Sequence, residues 1–313
     1  MLISDMKEFA KRLILFSVFF LSFSIFVNCL FLVIITSTDW DFIKRLESLQ
    51  FEEPDYELLV LGSSLAEYGV DTEVLTNHGI KSFNLSLVGS SVKTNYVQLN
   101  EYLTRYPKKP QFAVLAVNSV LEQFDQDGIQ PVVEFTMKGH RYNHKDLPIS
   151  KFNWAGMELL KKAFRKKYRE TYLSYGHKKS IITQPDNTVF REFHIDFNKF
   201  ETAYWMGELA KLCSENAVEL IITDIPGVRE AQSLSGVGPY TIRFGNGYTA
   251  QYYNLNSIEF CKFIDGENDW VGLSHLNKTG AAKFTQKLYE VVLEKRVVAG
   301  YESDNYAYGI LSD

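Results

Sequence analysis

Cysteine and histidine are scarce in this chain, and each shortage removes a class of chemistry. Three cysteines, Cys29, Cys213 and Cys261, stand among 313 residues. Their spacing matches no thiolate zinc cluster and no disulfide framework. Cys29 falls in an apolar run and reads as a buried thiol, while the spacing of Cys213 and Cys261 does not fix whether they meet. Of the six histidines, only His140 and His144 stand four apart, in "HRYNH". Arg141 occupies the place of the zinc-protease glutamate and no third ligand is evident, so these are expected to be loop histidines with no metal. Excess charge of one sign is lacking too. With 33 Lys and Arg against 38 Asp and Glu, the net charge is −5. Nucleic acid, which wants a basic surface, is not an expected partner. No internal repeat or low-complexity tract appears.

What is present begins with a long apolar run. Residues 13–36, "LILFSVFFLSFSIFVNCLFLVIIT", carry no charge over 24 positions. About 20 suffice for a helix to cross a bilayer. Lys7, Lys11 and Arg12 precede the run, and Asp39 and Asp41 follow it. The positive-inside bias places residues 1–12 in the cytoplasm and everything after Ser37 outside. The run is long for a cleaved signal peptide and no A-x-A-like site follows, so a signal anchor is expected. The segment 37–54 reads as a juxtamembrane linker.

With 46% hydrophobic residues, the rest is rich enough for one large domain, read as 55–298, and the Tyr-rich 299–313 as a loose tail. Compact apolar runs ending in glycine or proline alternate with stretches of helical period. "YELLVLG", "IKSFNLSLVG", "QFAVLAV" and "VELIITDIP" read as strands. "SVKTNYVQLNEYLTRY", "ETAYWMGELAKLCSENA" and "KTGAAKFTQKLYEVVLEK" read as helices. This alternation predicts a parallel sheet covered on both faces, with a ligand site beyond the carboxyl ends of the strands. Residues of about 120–198 interrupt it and read as an insertion capping the site. They include an amphipathic helix, "MELLKKAFRKKYRETY", whose basic face is either solvated or set against anionic lipid or glycan.

Gly-Ser-Ser occurs twice at such strand ends, at Gly62-Ser63-Ser64 and at Gly89-Ser90-Ser91. A serine becomes a nucleophile only when a base takes its proton and donors stabilise the oxyanion. His275, in "SHLNKTGAAKF" before the last helix, is placed to act as that base, with Asn277 as helix cap.

Four blocks in this order resemble the SGNH (GDSL-like) hydrolase superfamily. "VLGSSLAEYG" matches the nucleophile block, with Ser64 as nucleophile and Ser63 where the family has aspartate. "FNLSLVGSS" matches the second, with Gly89 in the oxyanion position. "VLAVNSV" matches the third loosely, with Asn118 as side-chain oxyanion donor. "SHLNKTGAAKFT" matches the last, with His275 as base. The resemblance implies a three-layer α/β/α sandwich with a parallel sheet, flavodoxin-like, behind one N-terminal transmembrane helix. It needs no cofactor.

The family's aspartate three residues before the histidine is Gly272 here. Asp269 is the expected substitute. Asp265, a backbone carbonyl or a degenerate site are the alternatives. With the anchor, the resemblance points to proteins that modify cell-envelope polysaccharides. It implies an exported O-acetyltransferase or acetylesterase working through a Ser64 acyl-enzyme, often beside a multi-pass membrane acyltransferase. The alternatives are a catalytically degenerate glycan-binding or scaffolding subunit and, with only the basic helix behind it, a lipid-directed esterase.

Overall fold

The four residues Leu58–Leu61 are wholly buried, each side chain contributing about 1.5–3 kcal/mol by leaving water. An apolar run this short, with both faces covered, is the pattern of a strand inside a sheet rather than at its edge. In the computed structural model, which describes residues 2–36, 55–117, 130–137, 171–174, 177–180, 191–193, 203–226, 230–232, 234, 236–257, 260–271 and 275–296, it forms β1 (Leu58–Gly62).

Helix α1 (Leu2–Thr36) comes before it, and Met6–Leu30 is long and apolar enough to cross a bilayer. After β1 come two short helices, α2 (Ser64–Gly69) and α3 (Thr72–Asn77), then β2 (Ser82–Asn84), α4 (Val92–Arg105) and β3 (Phe112–Val117). Further along lie α5 (Gln130–Met137), β4 (Thr171–Ser174), β5 (His177–Ser180) and β6 (Arg191–Phe193). The chain continues through α6 (Tyr204–Glu215), β7 (Glu219–Asp224), β8 (Glu230–Gln232), β9 (Tyr240–Arg243) and β10 (Thr249–Tyr253). It closes with β11 (Trp270–Val271), β12 (His275–Leu276) and α7 (Lys278–Leu288), whose axis runs on through a wider π turn over Tyr289–Leu293.

The main sheet has the order β2-β1-β3-β7-β10-β9, with β9 antiparallel at the edge and every other pairing parallel. Alternating residues feed two separate cores. Leu59, Leu61, Leu115 and Ile222 pack with α4 and α6 on one face. Leu58, Val60, Val114 and Ile221 pack with α2, α3 and α7 on the other. The result is a mixed α/β domain whose largely parallel sheet is flanked by helices.

Several sequence expectations change in detail. The strand read over residues 80–89 is paired only at Ser82–Asn84, because its remainder turns to meet the end of β1. Residues 240–253 form the β9–β10 hairpin, which the alternation of strand and helix does not reveal. The helix expected over 157–172 lies outside the described residues except at its end, where Thr171 and Tyr172 belong to β4. There β-branched and aromatic side chains suit a paired strand better than a helix. Most of the insertion lies outside the described residues, but the backbone of β5 runs beside α2. Cys213 and Cys261 are both free and buried, not bridged. Burial pushes each thiol up to about 12, so neither is a nucleophile at neutral pH.

Candidate active site

Chain order and spatial order diverge at β1. The chain steps outward to β2, then returns past β1 to β3. Such a reversal leaves a crevice beyond the carboxyl ends of the two central strands, where open α/β sheets hold their ligands. Gly62 is the last residue of β1 and pairs with Ala116 of β3. Ser63 and Ser64 follow it directly, at the mouth of that crevice.

Gly62 is obligatory there. Its φ is +148°, and a Cβ would lie 2.6 Å from the Ala116 carbonyl oxygen and 2.7 Å from the Ala66 Cβ. The strand can therefore turn at once into α2. Ser64 opens that helix, partly exposed, and Ser63 is its N-terminal flanking residue without a side-chain cap bond. Ser64 Oγ makes no hydrogen bond to any described residue.

The second Gly-Ser-Ser lies against the first. Gly62 O accepts from Leu87 N–H at 3.2 Å and from Ser90 Oγ–H at 2.6 Å. Gly89 sits between these anchors at φ +75°, with open space where a Cβ would be. Ser91 caps α4 by accepting from Thr94 N–H. Asn84 ties β2 to α2, its amide donating to Ala66 O at 2.9 Å and Val70 O at 3.0 Å. Glu67, on α2 one turn beyond Ser64, is only 3% exposed and accepts from Val88 N–H at 2.9 Å. A charged residue inside the apolar stretch "SLAEYG" is the sequence signal that marks Glu67, although it says nothing of the partner.

His275 heads β12, which packs against α2. Its ring meets Tyr68 with centroids 4.9 Å apart and 51° between planes. Tyr68 is four residues after Ser64, so both project from one side of the helix. The structure thus brings Ser64, Gly89 and His275 to one end of the sheet.

Asp269 goes elsewhere. It is fully buried, and its Oδ2 takes Lys283 Nζ of α7 at 2.7 Å and the Asp265 N–H at 2.6 Å. Its Oδ1 accepts no hydrogen bond from the described residues. Asp265 uses its own carboxylate on Glu267 N–H, Asn268 N–H and the Asn268 amide, and these bonds hold it below the usual carboxylate range. Asn277 caps α7 as expected, accepting from Thr279 and Gly280 N–H. Asn118, Gly272, His140 and His144 lie outside the described residues. Among the described residues, no group of three or more His, Cys, Asp or Glu is placed to hold a metal ion.

One further acid was not anticipated from the sequence. Asp224 ends β7, pairs in register with Val117 and is completely buried. Tyr252 Oη–H donates to its Oδ2 at 2.6 Å, while Oδ1 has no partner among the described residues. Burial outweighs that bond and pushes the carboxyl up to about 7.

A serine at the end of β1, a glycine loop bound to the turn before it and a histidine packed on the same short helix thus lie together at the switch point of the sheet. No protein family model matches the chain, and no curated protein matches it either.

Proposed function

We propose that this chain is an exported, membrane-anchored serine acyl-transfer enzyme of the SGNH-like type. It would act as an O-acetyltransferase or acetylesterase on a cell-envelope polysaccharide, with α1 as the anchor and the α/β domain outside the cytoplasm. The observation that carries this reading is the convergence on α2. Ser64 opens the helix, the Gly89 loop is hydrogen-bonded to the turn before it, and His275 packs on Tyr68 one turn further along. The sheet order and the helices on both faces fit the three-layer sandwich that the four sequence blocks imply.

In this mechanism His275 takes the proton of Ser64 as Oγ attacks the ester carbonyl. The Gly89 N–H and the Asn118 amide stabilise the oxyanion. The proton then passes from His275 to the departing alcohol, leaving acyl-Ser64. Water or a sugar hydroxyl, deprotonated by His275, attacks the acyl group and returns the serine. The first gives an esterase and the second a transferase. A multi-pass membrane acyltransferase would supply activated acyl groups to the transferase.

One observation favours a second reading, a glycan-binding or scaffolding subunit with a decayed site. The carboxylate expected to orient His275 is instead bound to Lys283. Committed to Lys283 and to the Asp265 N–H, that carboxylate is spent on holding the β11–β12 hairpin to α7, which suits a structural role.

Fluorophosphonate labelling of the full-length chain in detergent separates the two. The enzyme reading expects adduct on Ser64, mapped by mass spectrometry, and its loss in His275→Ala. A folded protein that takes no label at Ser64 supports the subunit reading instead.

A further inference from the structure

The oxyanion role given to Gly89 demands more than the right residue. A donor that stabilises a developing charge must be held to within about half an ångström of its working position. Gly89 is poorly suited to hold itself there. It has no side chain to anchor it, nothing lies within 4 Å of where a Cβ would be, and its neighbour Val88 is 53% exposed.

The fixing comes from either side. Ser90 Oγ–H donates to Gly62 O, and Val88 N–H donates to Glu67 Oε2. Both acceptors belong to the segment that carries Ser64, with Gly62 two residues before it and Glu67 three after. A carboxylate that is 97% out of water costs free energy to place unless its lone pairs are used. A short apolar helix packed on a sheet has no need of one for stability. A carboxylate here does have one geometric advantage. It reaches across from α2 to the N–H of the Leu87–Val88 peptide, one unit before the peptide that carries the Gly89 N–H, and so ties the loop to the helix that Ser64 opens.

We infer that Glu67 is a positioning residue: it fixes the Gly89 N–H relative to Ser64 by accepting the Val88 N–H, with the Ser90 hydroxyl as the second fastening. This rests on the acyl-transfer reading above. The group needed is an acceptor, not a charge, so glutamine should replace glutamate while alanine should not.

The test uses the full-length chain in detergent and two readouts. In fluorophosphonate labelling, Glu67→Ala is expected to lower the maximal inactivation rate about 10- to 100-fold with little change in the concentration for half-maximal rate. That is somewhat less than the ~10²–10³ lost when an oxyanion donor is deleted. Glu67→Gln is expected to recover most of the rate. Hydrogen exchange over residues 85–91 is expected to quicken in Glu67→Ala and to stay near wild type in Glu67→Gln, whether or not Ser64 reacts. Wild-type rates in a folded Glu67→Ala protein would overturn the positioning role alone. Faster exchange with no labelling of wild type would instead overturn the serine reading, and the oxyanion role with it. Unchanged exchange in Glu67→Ala would show that the loop is held without Glu67 and would also overturn the inference.

Discussion

Replacing Asp224 by asparagine is expected to change stability by an amount that depends on pH. The native carboxyl titrates near 7 rather than near 3.8, chiefly because it is fully buried at the end of β7. In the unfolded chain it ionises near the ordinary value. Between these two values the unfolded state has released its proton and the native state has not, so the native state loses ground as pH rises. Below about 4 both states are protonated and nothing is lost, and above about 7 both are ionised and the loss levels off. Three pH units at about 1.4 kcal/mol each put the full loss near 4 kcal/mol. About 2.5 kcal/mol of it accrues between pH 5 and pH 8.

Asparagine keeps an oxygen for the Tyr252 hydroxyl but places an amide nitrogen where Oδ1 lacks a partner among the described residues. That costs about 1–3 kcal/mol at every pH, so the slope is diagnostic and the offset is not. Thermal unfolding of wild type and Asp224→Asn at pH 5, 6, 7 and 8 reads the difference. The melting temperature of the variant relative to wild type should rise by about 5–10 °C across that range. A difference that stays flat with pH would refute the raised titration. Among the described residues, Cys261 also lies near Asp224, and burial pushes its thiol up to about 12, so it stays protonated over this range.

Three further outcomes are expected. Gly62→Ala drives a Cβ into the Ala116 carbonyl and the Ala66 methyl at a backbone angle that L residues avoid. A loss of about 3 kcal/mol or more in denaturant unfolding is expected, together with loss of any Ser64 labelling. Lys283→Met leaves the buried Asp269 Oδ2 with only the Asp265 N–H among the described residues. A loss of about 2 kcal/mol in denaturant unfolding is expected, below the ~3–5 of a fully buried pair because the ammonium is part-exposed. Asn277→Ala removes the acceptor for two N–H groups of α7, worth about 1–2 kcal/mol in thermal unfolding.

The strands of the main sheet were legible where they are buried on both faces. A continuous apolar run such as "YELLVLG" has few other uses, and the stripes of α4, α6 and α7 were plain at helical period. The hairpin β9–β10 was missed because "YTIRF" and "TAQYY" mix exposed polar with buried residues, although the Asn246-Gly247 pair between them is itself a hairpin turn signal. Helices α2 and α3 have six residues each, too short to show a period. At the site, the residue types were readable but their ties were not. That the two Gly-Ser-Ser copies touch depends on β1 and β2 being neighbours, a matter of topology rather than local pattern. That Asp269 turns to Lys283 depends on how α7 crosses the small β11–β12 hairpin, which no sequence spacing specifies.

Helix α1 sets a range as well as a location. At about 1.5 Å per residue its 35 residues extend about 52 Å, against a hydrocarbon slab of about 30 Å. Eighteen residues separate its end from Asp55, and even a fully drawn chain of that length spans no more than about 65 Å. With α1 seated in a bilayer, the crevice can sweep only a shallow layer above the lipid. Under the acyl-transfer reading proposed above, polymer still emerging at the membrane would lie within that layer at a high effective concentration, whereas polymer that has left the surface would lie beyond its reach. The anchor would thus decide when in the life of a glycan chain the serine can meet it.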